Sequence, residues 1–279
     1  MRLSNIENMK VDHWFFENQN EDVKFGIRVS EHLASVQSKY QKIDIVKNDF
    51  FGKVLFLDGC FMLTEKDEYF YQEMITHPAM VSHPHPKNVL IIGGGDGGVA
   101  REVLKHDIER IDLVEIDEEV INLSKKFFPE IASSFNDKRV NIFNMDAFEF
   151  VNKTGNYDVI IVDSTDPIGF AASLFSEVFY EKASKLLGKE GILVTQTGSP
   201  FMNPAHIIKA IKGISANFNH YFPYLASVPT YPSGLWSYVM ASNSPIFRRR
   251  KFTGKYYNDE VYDSLNKYPQ FFKDIIEQK

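Results

Sequence analysis

One cysteine, Cys60, occurs in 279 residues. A lone thiol excludes an intrachain disulfide and a multi-cysteine metal site. It follows Asp58-Gly59 in a strand-and-turn pattern, where a small buried residue is expected. Long apolar runs are missing as well. No stretch approaches membrane-spanning length, and the opening MRLSNIENMK lacks the apolar core of a signal peptide. A cytoplasmic protein with no membrane partner is therefore expected. Positive charge is not in excess: 31 Lys and Arg face 37 Asp and Glu, for a formal net charge of -6. Nucleic-acid recognition calls for a basic face, so that class of partner is set aside. The long basic run Arg248-Arg249-Arg250-Lys251 is expected as solvated surface. His77, His83 and His85 are interrupted by prolines and lack acidic partners, so no metal site is expected. Internal repeats and low-complexity tracts are also absent.

What the chain does have is 24 phenylalanines and 13 tyrosines, enough to fill a core and line an apolar cleft. Residues 1–63 read as successive strands: FGIRVS, HLASVQS, YQKIDIVKN, KVLFLDG and CFMLT, forming a small antiparallel β domain. The aromatic triplet Trp14-Phe15-Phe16 is expected at a subunit or domain contact. Residues 64–279 are expected as a second, α/β domain. It opens on a T-x-x-D capping pattern from Thr64 to Asp67, followed by the amphipathic helix EKDEYFYQEMITH. HPHP at 83–86 makes a stiff connector. Strand-like runs at 88–93, 111–117, 140–146, 157–163 and 191–197 then alternate with helical patterns such as DEEVINLSKKFF and LFSEVFYEKASKLL. That rhythm predicts a mostly parallel sheet covered on both faces. ASVPTYPSGLWSYVMAS predicts two further strands around a Pro-Gly turn, and the last twenty residues one surface helix.

The first parallel strand runs into IIGGGDGGVAREV. Gly93, Gly95 and Gly98 have the G-x-G-x-x-G spacing that brings backbone amides close to a nucleotide's pyrophosphate. Yet Asp96 lies where an anion would dock, and no lysine follows as it does in a P-loop. Three more parallel strands also end in an acid: Glu115 in VEID, Asp146 in NMDA and Asp163 in VDSTDP. Strand ends in open α/β sheets converge on one ligand crevice. Glu115, about twenty residues past the glycines, is placed to accept ribose hydroxyl protons. Asp146 with Ala147 can reach an adenine amino group, or Asp146 can simply cap the helix AFEFVNK. A nucleoside is provided for and a phosphate is not. The remaining group should be cationic, as in an adenosyl sulfonium, and Asp96 would oppose a carboxylate and accept an ammonium.

With YQKIDIVKN, FLDG, EKDEYFYQEMITH, VLIIGGGDGGVAREVLKH, VEID, DSTDPIG, SLFSEVFY and PTYPSG in this order, the chain resembles the spermidine synthases, or polyamine aminopropyltransferases, over nearly its full length. The resemblance implies a methyltransferase-like Rossmann-type sheet, a small N-terminal antiparallel β domain, and a homodimer or homotetramer. It implies transfer of the aminopropyl group of decarboxylated S-adenosylmethionine to putrescine, giving spermidine and 5'-methylthioadenosine. By motif, Gln41 and Glu115 would bind the ribose part, Gly93, Gly95 and Gly98 the nucleoside backbone, Asp146-Ala147 the adenine, and Phe170 the donor. Asp96 and Asp163 would hold the aminopropyl end, with Asp163 also the catalytic proton acceptor. Tyr71, Gln72, Ser164, Asp166 and Tyr231 would meet the acceptor amine, and 164–175 would form a lid. Phe170, Met145 and Gly198 depart from residues frequent in the family, and none removes a catalytic group. Alternatives are another acceptor (cadaverine, agmatine or spermidine), a putrescine N-methyltransferase, which Asp96 argues against, and a non-catalytic polyamine-binding protein.

Overall fold

A computed structural model describes residues 13–153, 155–165 and 169–278, apart from the side chains of 169–171. The chain divides into two compact units between Lys66 and Asp67.

In the first unit, β1 (His13–Asn18) and β2 (Lys24–Val29) form an antiparallel pair. The strands β3 (Glu31–Gln37), β4 (Lys42–Asn48), β5 (Gly52–Leu57) and β6 (Cys60–Thr64) form a four-stranded antiparallel meander. The antiparallel expectation holds, but as two sheets. HWFFEN is itself a strand, and its alternation explains its aromatics. Phe15 points inward and stacks on Phe56 at 3.9 Å between ring centroids. Trp14 and Phe16 point outward, 52% and 50% exposed, and stack on each other. Buried Glu17 accepts the Phe61 N–H at 2.7 Å, tying the hairpin to the meander. Cys60 is half-buried, more open than its sequence context implied.

The second unit runs α1 (Glu68–Ser82), β7 (Asn88–Gly93), α2 (Gly98–Val103), β8 (Arg110–Glu115), α3 (Glu118–Phe127), β9 (Val140–Asn144), α4 (Ala147–Phe150) and β10 (Tyr157–Asp163). It continues through α5 (Glu177–Leu186), β11 (Leu187–Gly198), α6 (Pro204–Ser215), β12 (His220–Ser227), β13 (Leu235–Ser242), α7 (Asp259–Ser264) and α8 (Gln270–Glu277). The sheet order is β12-β13-β11-β10-β7-β8-β9, parallel from β11 to β9 and antiparallel at β13 and β12. Alternate residues of the central strands enter two separate cores. Val89, Ile91, Leu113, Val159 and Ile161 pack with α1 and α2 residues such as Ile75 and Val99. Leu90, Ile92, Val114, Ile160 and Val162 pack with Phe179 of α5 and Ile211 of α6. That two-sided burial is why these strands are continuous apolar runs. Pro223 lies on β12, the edge strand, where a missing N–H costs no ladder bond.

Four local expectations are corrected. Thr64 ends β6 and does not cap α1, which starts at Glu68. Asp67 holds the N-cap position but makes no side-chain cap bond, because its carboxylate is used on Thr230. The helix then continues beyond His77 through Pro78 to Ser82. A proline inside a helix frees the carbonyl four residues back, here that of Met74, and the buried Tyr224 hydroxyl donates to this carbonyl at 2.8 Å. The C-terminal segment forms two helices, with Pro269 at the N-cap of α8, and Phe272 is fully buried. The basic run is exposed at Arg249 and Lys251, as expected, but half-buried at Arg248 and Arg250. Arg248 pairs with Asp259 and Asp263, Arg249 with Glu190, and the Arg250 guanidinium donates to the Met80 carbonyl.

Candidate active site

The chain leaves β7 for β8 and β9 on one side, then crosses to β10 on the other. The strand order therefore reverses at the carboxyl end of β7, where open α/β sheets bind ligands. The backbone at this point is close-packed. Gly93 has φ +82°, and a Cβ on it would lie 2.0 Å from the Asp163 carbonyl oxygen. The next amide, Gly94 N–H, donates to that carbonyl at 3.1 Å. Glycine is thus required where the ends of β7 and β10 meet.

Three carboxylates are gathered here. Asp96, in the loop after β7, accepts the Gly98 N–H at 2.6 Å. The Gln72 side-chain amide, from α1, donates to both Asp96 oxygens at 3.1 and 3.3 Å. Glu115 ends β8, is buried, and accepts the Asp117 N–H at 2.9 Å. A Cβ on Gly95 would lie 3.0 Å from Glu115 Oε2, so the glycine loop lies directly against this acid. Asp163 ends β10 and accepts the Tyr71 hydroxyl at 2.7 Å.

Their titration reflects this crowding. Burial first, then the Asp96 and Glu115 charges, push Asp163 up to about 8 despite the opposing Tyr71 hydrogen bond. Burial pushes Glu115 up to about 7 against backbone N–H donors. Burial raises Asp96 as well, partly offset by the Gly98 amide, Arg101 and Gln72. Like charges held this close each disfavour ionisation of the others. A cation brought among them would relieve that repulsion.

An aromatic wall adjoins the acids. Tyr71 is buried, with the rings of Tyr231 and Tyr238 each 5.7 Å from its own. Tyr231 meets Trp236 edge-on at 4.7 Å. The turn bearing Tyr231 is anchored to the start of α1, because Asp67 accepts the Thr230 N–H at 2.9 Å and its hydroxyl at 2.5 Å. Gln196 of β11 donates to the Ser164 carbonyl at 2.9 Å and accepts the Gly198 N–H at 2.8 Å. This fixes the chain just after Asp163, and the Ser164 hydroxyl turns toward the Thr165 carbonyl.

The structure thus brings together Tyr71, Gln72, Asp96, Glu115, Asp163 and Tyr231. Asp146, at the end of β9, caps α4 by accepting the Phe148 N–H at 2.7 Å, and buried Ala147 begins that helix. The capping alternative is therefore realised in the geometry. Gln41 belongs to the first unit, in the turn between β3 and β4, where its N–H donates to Ser38 Oγ. Asp166 and the Phe170 side chain lie outside the described residues. Sequence reasoning read Asp67 only as part of a cap and passed over Gln196, Tyr238 and Arg101, the last of which pairs with Glu68 at 2.6 Å. The signal available for Gln196 was its place at the end of a parallel strand. Asp67 carried none, since its partner lies far along the chain.

His77, His83 and His85 do not form one ligand set. His77 bonds Glu102 and His106, whereas His83 faces Asp158 at 3.8 Å. Among the described residues, Glu73, His77 and Glu102 lie close enough to share an ion. Their oxygens are already committed. Glu73 accepts the N–H groups of Lys255, Tyr256 and Tyr257 at 2.8 Å each, and Glu102 is paired with Lys105, Arg101 and His77. No helix among the described residues is long and apolar enough to cross a membrane.

The family model of the spermine/spermidine synthase domain matches residues 68–251, and that of the spermidine synthase tetramerisation domain matches 13–65. The polyamine aminopropyltransferase of Thermoplasma volcanium is 42% identical over 269 residues, covering 95% of this chain and 98% of that protein. One from Thermoanaerobacter sp. is 43% identical over 277 residues, covering 95% and 99%. A spermidine synthase solved in complex with the transition-state analogue AdoDATO superposes with a TM-score of 0.92 at 39% identity, covering 96% of each chain. The Thermotoga maritima spermidine synthase superposes at 0.89 with 38% identity, covering 96% of this chain and 95% of that one.

Proposed function

The chain belongs to the spermine/spermidine synthase family and is an aminopropyltransferase, and from that premise we propose that it moves the aminopropyl group of decarboxylated S-adenosylmethionine to putrescine. The observation that carries this reading is the gathering of Asp96, Glu115 and Asp163 in one buried place, where burial first and the neighbouring carboxylates next raise Asp163 to about 8. A site of mutually repelling carboxylates favours ligands bearing positive charge. The sulfonium donor and a diamine both do.

Glu115 receives the ribose hydroxyls, and Asp146 with Ala147 the adenine edge. Phe170 adds a contact to the donor. Gly93, Gly95 and Gly98 let the loop backbone lie close to the nucleoside. Asp96 takes the donor's ammonium and would repel the carboxylate of intact S-adenosylmethionine. Tyr71, Gln72, Ser164 and Tyr231 border the acceptor, and Asp166 anchors its far amine.

In the reaction the acceptor nitrogen attacks the donor carbon beside sulfur. A C–N bond forms, the C–S bond breaks, and its electron pair stays on sulfur, leaving neutral 5'-methylthioadenosine. The acceptor has an unperturbed pKa near that of lysine, about 10.4, so it arrives mostly protonated. Asp163, at the end of a rigid strand, takes the proton from the reacting nitrogen, and holding the two cations in line supplies rate through orientation. The chain assembles as a homo-oligomer, and outward-facing Trp14 and Phe16 offer apolar surface for that purpose. A competition assay tests the reading: decarboxylated donor is supplied with a panel of amines and the products are read by mass spectrometry. Spermidine should dominate. Preference for another amine would change the acceptor, and methyl transfer from S-adenosylmethionine would overturn the reaction.

A further inference from the structure

Beside the glycine loop, and apart from the His77 contacts to Glu102 and His106 farther along the helix, two polar links join α1 to the segment that follows β7. Gln72 donates to Asp96, and one helical turn earlier Glu68 pairs with Arg101 at 2.6 Å. Residues four apart share a helix face, so both links leave the same side of α1. Between them the two elements are nearly touching. A Cβ on Gly98 would lie 2.6 Å from the Gln72 amide, so a side chain there would push that amide aside. Arg101 lies on the first turns of α2, and its N–H donates to the Gly97 carbonyl. Its Nε also donates to Glu102 at 3.0 Å, so one guanidinium bridges two carboxylates from different helices.

Gln72 does not hold itself in place. It is buried, and its Oε1 has no hydrogen-bond partner among the described residues. An amide held through its nitrogen end alone takes its position from the helix that carries it. Where that nitrogen sits relative to Asp96 therefore depends on how α1 lies against α2. The Glu68–Arg101 pair is the ionic link between the two helices nearest to that contact.

We propose that Arg101 is a positioning residue for the transfer. By joining Glu68 to the start of α2 it keeps Gln72 on Asp96, and so sets where the donor's ammonium is held. The inference rests on the reading of Asp96 given above. It concerns the ammonium alone and leaves the nucleoside contacts unaffected.

The test compares two ligands. The decarboxylated donor carries the ammonium, whereas 5'-methylthioadenosine shares the nucleoside and lacks it. Calorimetry on Arg101→Lys and Glu68→Gln should show donor affinity falling about tenfold, the effect of misplacing one charge-assisted hydrogen bond, with methylthioadenosine unchanged. Arg101→Lys keeps the charge and loses the fork that reaches both carboxylates. Wild-type donor affinity in that variant would make the role purely electrostatic and overturn positioning. An equal loss for both ligands would make the pair a general structural brace and also overturn it. If Arg101→Lys fails to fold, Glu68→Gln decides alone by the same criteria. Asp96→Asn separates the two claims. If it leaves the donor-to-methylthioadenosine affinity ratio unmoved, the reading of Asp96 fails. If it moves the ratio and the Arg101 and Glu68 variants do not, only the positioning role fails.

Discussion

The Tyr71 hydroxyl donates to the Asp163 carboxylate at 2.7 Å, linking the first helix of the α/β unit to the end of β10. A donor on a carboxylate favours its ionised form, and here it works against burial and the neighbouring acids. Tyr71→Phe should therefore raise the Asp163 pKa further. A base must be deprotonated to act, so the acid limb of the kcat/KM profile should move to higher pH. An unmoved limb, measured with saturating donor, would mean that another group controls it.

Asp163→Asn keeps the shape and removes the proton acceptor. Loss of a general base typically costs about 10²–10⁴-fold in rate. A fall in kcat of at least about a hundredfold is expected with folding intact. Part of it should return at high pH, where free amine is more abundant. A variant retaining more than about a tenth of wild-type kcat, with normal donor binding, would reduce Asp163 to an electrostatic clamp.

Asp96 should discriminate between donors by charge. The decarboxylated nucleoside should bind at least about tenfold tighter than S-adenosylmethionine, a gap of about 1.4 kcal/mol. Asp96→Asn should narrow that gap from both sides, by weakening the ammonium and tolerating the carboxylate. Equal wild-type affinities would sink this assignment.

Stability of the ligand-free protein should fall on both sides of mildly acidic pH. Asp163 and Glu115 are raised on folding, to about 8 and about 7. Their contribution is fully present below the unfolded carboxylate range and is lost as pH rises through 7 and 8. His106 runs the other way: burial, then its neighbour His77, depresses it to about 3, so it costs stability as pH drops from about 6.5 toward that value. Melting temperatures should decline as pH rises from about 5 to about 8, and less steeply with methylthioadenosine and a polyamine bound. A flat profile from pH 6 to 9 would contradict the crowding of the acids.

Helix α1 passes through Pro78 because Tyr224 takes up the Met74 carbonyl. Tyr224→Phe should cost about 1–3 kcal/mol, the penalty for a buried acceptor left unpaired. Adding Pro78→Ala restores a backbone N–H at that turn and should recover part of the loss. Additive effects of the two substitutions in denaturant melts would show the groups to be uncoupled.

Periodicity and strand-end chemistry were legible in the sequence, because both are local. The alternation of apolar runs and helical patterns marked the parallel strands, and GGGDGG, VEID and VDSTDP placed an acid at each end that forms the crevice. The tertiary structure decided matters whose partners lie far apart along the chain. Asp67 looks like a cap beside Thr64, yet its carboxylate goes to Thr230, 163 residues away. Pro78 looks like a helix end, and Tyr224, 150 residues from the carbonyl it meets, lets the helix continue. The basic run looks solvated, and Arg249 and Lys251 are indeed exposed, but Asp259 and Asp263 pair with Arg248 and Glu190 with Arg249. Even the acids differ in this respect. That each ends a strand is written in the sequence, but the lift of Asp163 arises only when folding buries it beside Asp96 and Glu115. Charge repulsion and desolvation depend on distance in space, and a linear pattern of residues does not carry that distance.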